Sequence, residues 1–205
     1  MNTPTKIALL GTLGLLISAA FAAFTLVVTA LGLYNGMQSK NQAVETAWAK
    51  VESQYQRRFD LIPNLVETVK AAANFEKGTL TQIAEARASV GRATVDIKNA
   101  TPEQLAAFQS AHTGLSAALS KLMVVTENYP QLKANDNFVA LTAELAGTEN
   151  RVAVARNDFN MVVQEYNTML VRFPGSLLAS YFGFHAKPYF KSVEKAAEAP
   201  KVQFN

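Results

Sequence analysis

Residues 57–66 read RRFDLIPNLV, and how the chain passes through them decides the fold. Two arginines and an aspartate lead into an apolar run that contains Pro63. Proline lacks an N–H and its ring strikes the carbonyl four residues back, so inside a helix it costs about 3 kcal/mol. The apolar spacing crosses it all the same. Val44, Trp48, Val51, Tyr55, Phe59, Ile62, Val66, Val69 and Ala73 recur at steps of 3 and 4, the period of one helical face. This predicts a helix that bends at Pro63 and continues, with the Phe59 carbonyl freed of its usual donor. Two consecutive steps of 4 around Tyr55 read as a stutter in a heptad pattern. On this reading Arg58 flanks the seam, while Arg57 and Asp60 face outward.

Toward the amino terminus, residues 7–33 are uncharged and mostly apolar, bounded by Lys6 and Lys40. A spanning helix needs roughly 20 such residues. A cleaved signal peptide is the competing reading, with a small-residue site around Ala20 and Ala22. Apolarity continues well past that site, which favours an anchor. Lysine flanks are nearly balanced, and keeping Lys6 inside places the bulk of the chain outside the cytoplasm. Gly14, Ser18 and Ala22 recur every four residues and form a stripe on which two such helices can approach.

Toward the carboxyl terminus the period stays helical. A second helix is expected from Asn74 into the Val90 region. Thr101-Pro102-Glu103-Gln104 then reads as a capping box with proline at the first helical position. The third helix carries Leu105, Phe108, His112, Leu115, Leu119 and Leu122, and must stop before Pro130. Asn135 or Asp136 opens the fourth. Its seam is Phe138, Leu141, Leu145, Thr148, Val152, Ala155, Phe159, Val162, Tyr166, Met169 and Phe173, closed by Pro174-Gly175. The fold expected is all-α: one N-terminal transmembrane helix followed by an antiparallel long-helix, four-helix-type bundle. The organisation is a short tail at 1–6, a transmembrane helix at 7–33, a bundle at 34–173 and an aromatic, basic tail at 174–205. Four helices return the chain to its starting end, so that tail should lie near the membrane.

If the first and last long helices run antiparallel, Arg58 comes level with Glu149. A charge network of Arg58, Glu149, Arg151 and Glu144 follows as an expectation, with Arg57 left to solvent. In the tail, Tyr181, Phe182, Phe184, Tyr189 and Phe190 are interleaved with Lys187 and Lys191. Such a mixture suits a bilayer interface, or it covers the end of the bundle.

Three long stretches are recognisable: QRRFDLIPNLVETVKAAANFEKGTL, NYPQLKANDNF and ELAGTENRVAVARNDFNMVVQEYNTMLVRFP. Together with the YFGFHAKPYF tail they make the chain resemble the LemA family of bacterial membrane proteins over about residues 34–190. The resemblance implies an N-terminal transmembrane helix and a long-helix bundle. It makes Arg57, Arg58, Asp60, Pro63 and Asn64 part of a family signature. It supplies no catalytic set, and related members appear in membrane-organelle biogenesis.

Other chemistry is thin. Cysteine is absent, which excludes disulfides, zinc–thiolate sites and a cysteine nucleophile. There are 2 histidines, and His112 falls on an apolar stripe, where a histidine is normally a core residue. Neither is preceded by glutamate at the spacing of a di-metal bundle. No phosphate loop or nucleophile elbow is present. Lys+Arg number 19 against 16 acids, too mild an excess for nucleic acid. The expectation is therefore a non-enzymatic, single-pass scaffold of the bacterial inner membrane, without catalytic, cofactor or metal residues. Its partners would be the bilayer and a second copy or a membrane protein. Membrane remodelling, or service as an accessory subunit of a membrane enzyme or protease, is the alternative.

Overall fold

The structure, a computed structural model, describes residues 3–71 and 76–191. Its helices are α1 (Thr3–Lys70), α2 (Lys77–Arg92), α3 (Pro102–Thr126), α4 (Pro130–Lys133), α5 (Asp136–Val171) and α6 (Gly175–Phe182). The protein is all-α, with a long apolar N-terminal helix and a bundle, as expected. The start at Asn74, the seam position Ala73 and the end of the tail lie outside the described residues.

Two compact units divide the chain. One holds Met1–Gln42 and Glu165–Ala186, the other Ala43–Gln164 and Lys187–Asn205. In the first, α1 begins at Thr3, ahead of the apolar stretch, and passes Tyr34 without a break. This helix is long and apolar enough to cross a membrane. Its large side chains are bare on every side: Leu15, Leu16, Phe21, Phe24 and Leu26 are all about two-thirds exposed or more. Gly14, Ser18 and Ala22 are exposed too, and the Ser18 hydroxyl donates back to the Leu15 carbonyl at 2.9 Å. The same unit contains α6, which the sequence reading missed. Gly175 opens it because a Cβ there would stand 2.5 Å from the Met169 carbonyl oxygen. Gly183 closes it in the left-handed region at φ 73°, a conformation that glycine adopts without strain.

In the second unit, the helices alternate in direction. Gln54, Arg57 and Arg58 on α1 meet Arg151, Glu144 and Glu149 on α5, so the register rises on one helix as it falls on the other. By contrast Trp48 meets Phe108 and Tyr55 meets His112, so α1 and α3 run the same way. This is the up-down-up-down order of short-linked helices. The α3 start is the capping box expected: the Thr101 hydroxyl accepts from the Gln104 N–H at 3.2 Å, and the Gln104 side chain accepts from the Thr101 N–H at 2.9 Å. Leu105, Phe108, His112, Leu115, Leu119 and Leu122 are all buried.

The first seam needs correction. Its buried residues are Val44, Trp48, Val51, Tyr55, Arg58, Ile62, Leu65 and Val69. They alternate steps of 4 and 3 with no stutter. Phe59 and Val66 are only partly buried at the flank of the core, and the Arg87 guanidinium covers the Phe59 ring at 4.2 Å. Pro63 sits exposed inside α1, which continues past it to Lys70. On α5 the seam drifts as well: Val163 and Leu170 are buried in place of Val162 and Met169. An α-helix of 3.6 residues per turn slides off a strict 3.5 repeat by about 20° per heptad. Phe173 lies beyond α5 and is 81% exposed.

A charged and aromatic candidate site

Arg58 occupies a core position with 5% of its surface exposed. Burying a guanidinium is tolerable only with a partner, and the side chain finds one by reaching sideways. Its Nη1 lies 2.6 Å from Glu149 Oε2, and Glu149 keeps half of its side chain in solvent. The pair lines a cleft of about 350 Å³ with Ser116, Ser120 and Thr142 from α3 and α5. Arg58 therefore lies in the seam where it was expected to flank it, and its Nε has no hydrogen-bond partner. Arg57, expected in solvent, donates to Glu144, with its Nε 3.0 Å from Oε1. Arg151 donates to Gln54 Oε1 at 3.3 Å. The four expected groups thus form separate contacts on adjacent turns. Asp60 and Asn64 are exposed, and Asp60 accepts from the Gln56 amide at 2.7 Å.

One turn from Arg58, Tyr55 stacks on His112 with ring centroids 3.8 Å apart, and Phe108 touches both. His112 is 5% exposed and its Nδ1 has no partner. Burial, helped by the Arg58 charge, pushes its pKa down from the usual 6.5 to about 4. Burial raises the Tyr55 phenol, against the pull of Arg156 and Arg58. The next layer is Trp48, packed between Phe108 and Phe159 and stacked on Phe190.

Phe190 belongs to an extended strap at the carboxyl side, held to this unit as a peptide ligand would be. Asn160 grips its backbone twice: Oδ1 accepts from the Phe190 N–H at 2.9 Å and Nδ2 donates to its carbonyl at 3.0 Å. Gln109 and Arg156 both donate to the Lys191 carbonyl, at 2.8 and 3.1 Å. The Arg156 guanidinium also lies 4.7 Å over the Phe190 ring. Pro188 is buried, and the Lys187 ammonium donates to the Lys98 carbonyl at 2.5 Å, its pKa lowered mainly by burial. Phe190, the Lys187 ammonium and the backbone of Lys191 are therefore held on the bundle, as in the second of the two readings of the tail. Tyr181 and Tyr189 remain exposed, Phe182 is 43% exposed and Phe184 is partly buried.

The LemA family model matches residues 47–204. The chain belongs to the LemA family. Its relatives include magnetosome protein MamQ 1 of Paramagnetospirillum magneticum, 23% identical over 92% of this chain and 75% of the relative. MamQ of Magnetospirillum gryphiswaldense is 25% identical, over 86% of this chain and 71% of its own length. Protein LemA of Metamycoplasma hominis is 20% identical, over 80% and 71% respectively. In this LemA chain the signature residues stand in an informative place. Arg58 holds a seam position, Arg57 pairs across to α5, and Pro63 is on the solvent side of the same helix. Sequence reasoning missed Asn160, Gln109 and Arg156, whose partners lie far along the chain and leave no periodic trace.

His112 gives this LemA domain a measurable pH response. A base whose pKa is depressed by folding takes up protons more readily in the unfolded chain. Stability is therefore complete above the unfolded value and falls as the pH drops toward the folded one. Between about pH 7 and pH 4 the loss from this group is on the order of 2–3 kcal/mol, at 1.36 kcal/mol per unit. Urea unfolding of the full chain in detergent at both ends of this window measures it. His112→Leu should remove that part of the slope and leave the carboxylate part unchanged.

Proposed function

We propose that this LemA protein is a non-enzymatic, membrane-anchored helical scaffold. It self-associates or recruits a membrane-protein partner at the bacterial inner membrane, with its bundle on the extracytoplasmic side. The observation that carries this reading is α1 itself. One unbroken helix includes both a bare apolar stretch of spanning length and the seam at 44–69. The ion pairs support the non-enzymatic part, since their charges neutralise each other: Arg58 with Glu149 and Arg57 with Glu144. The magnetosome names of the MamQ relatives support a role at a membrane. The orientation assumes that the short tail with Lys6 stays inside.

A single experiment separates the parts. Spheroplasts are treated with a membrane-impermeant lysine cross-linker, and in parallel with a permeant one. Discrete cross-linked species with both reagents are expected. Species with the permeant reagent alone would reverse the orientation and keep the scaffold. Monomer alone with both would sink the scaffold reading. Mass spectrometry of the species distinguishes a second copy from another membrane protein, including a membrane enzyme or protease that this chain would serve as a subunit.

A further inference from the structure

The helix α6 leaves large apolar side chains in water. A surface helix normally turns its large apolar residues inward and its polar ones outward. Here the fully buried residues are small, Gly175 and Ala179, with Leu178 partly buried beside them. Gly175 fits against the Met169 backbone, with the Met37 side chain beside it. The outward face is Leu177 at 65% and Tyr181 at 83% exposure, one helical turn apart. Phe173 at 81% and Val171 at 73% are exposed just before the helix, and Phe182 at 43% is exposed at its end. A patch of this kind on a soluble surface normally marks a binding site.

Its place identifies the occupant. The Phe182 ring lies 4.9 Å from the Tyr34 ring, edge to face, and Phe184 lies 5.7 Å from it. Tyr34 follows directly on the apolar stretch at 7–33. Tyrosine at the end of a spanning segment sits at headgroup depth, so α6 is tied to that depth by its own aromatic contacts. The segment 171–186 contains Arg172 and no acid, which suits the anionic headgroups of a bacterial membrane.

We propose that α6 is an interfacial shelf. The side chains of Phe173, Leu177 and Tyr181 enter the headgroup boundary of the bilayer that α1 spans, fixing the base of the protein on the lipid surface. This rests on the membrane-anchored reading of α1. It replaces the broad expectation of a lipid-facing tail with a defined face, and it leaves out Phe190 and Lys191, which the bundle holds.

The natural absence of cysteine makes the test clean. Single variants Leu177→Cys, Tyr181→Cys, Phe24→Cys and Val154→Cys of the full chain are spin-labelled and reconstituted in vesicles of phosphatidylethanolamine and phosphatidylglycerol. Each label's collision rate is measured with oxygen, which concentrates in lipid, and with a water-soluble nickel chelate. Phe24 lies within the apolar stretch, and Val154 is an exposed α5 position in the other unit. The ratio of oxygen to nickel collisions at Leu177 and Tyr181 should shift toward that of Phe24 and away from that of Val154. Ratios equal to that of Val154 would overturn the shelf while leaving the anchor intact. Labels shielded from both reagents would also overturn it, because protein would then cover the face. A Phe24 label open to nickel would remove the anchor and the shelf together.

Discussion

Glu149→Ala should destabilise the full chain in detergent by about 2–3 kcal/mol, whereas Arg58→Leu should leave its stability unchanged or raise it. The asymmetry follows from where the two ends of the pair lie. Arg58 is 6% exposed in its side chain and Glu149 is 53% exposed. Removing the carboxylate strands a guanidinium in the core. Removing the guanidinium frees a carboxylate that water already reaches, and leucine then completes the apolar alternation between Tyr55 and Ile62. Breaking a fully buried pair costs roughly 3–5 kcal/mol, and the half-exposed glutamate places this one at or below the low end. Urea unfolding of the two single variants and the double variant measures it. In the Arg58→Leu background, Glu149→Ala should cost close to nothing, so the two changes must be strongly non-additive. Equal losses from both single variants would show that the arginine contributes net stability. If Arg58→Leu is as stable as predicted, the arginine serves something other than stability. Fixing the register of α1 against α5 is the role with the best physical precedent.

Phe190→Ala should have an effect of similar or larger size. Truncating a buried phenylalanine costs about 3–5 kcal/mol, and Phe190 is 5% exposed against Trp48 and Phe159. The chain has 1 tryptophan, so the fluorescence of Trp48 reports the site directly. Its emission should move to the red as water replaces the stacked ring. Asn160→Ala tests the same strap through its backbone. It leaves the Phe190 N–H and carbonyl unpaired, at a cost of about 1–3 kcal/mol. The Phe190 amide should then exchange hydrogen much faster. An unchanged Trp48 spectrum in Phe190→Ala would mean that the strap is not seated in solution as it is here.

How much of this was legible in the sequence depended on whether the signal was local. The α3 capping box and its apolar positions follow from residues three or four apart, and the structure has them where the sequence put them. The first seam was legible in period and misread in phase. With only apolar residues admitted to the seam, Phe59 stood in for Arg58 and Val66 for Leu65, which created an apparent stutter. The strict alternation of 4 and 3 through Arg58 was in the sequence, hidden because a charge stood at a core position. On α5, Val162 and Met169 were chosen by extending a fixed repeat that a real helix does not keep. The strap and α6 were not legible. Pro174-Gly175 read as the end of the last helix, and the contacts that organise these segments join residues such as Asn160 and Phe190, or Tyr34 and Phe182.

The proposed scaffold should leave the membrane still assembled. The most direct measurement is the mass of single particles extracted from native membranes in polymer-bounded bilayer discs, without detergent. Particles carrying several copies of the chain, or the chain with a fixed proportion of one membrane protein, are the predicted result. A uniform population with a single copy and no companion protein would contradict it.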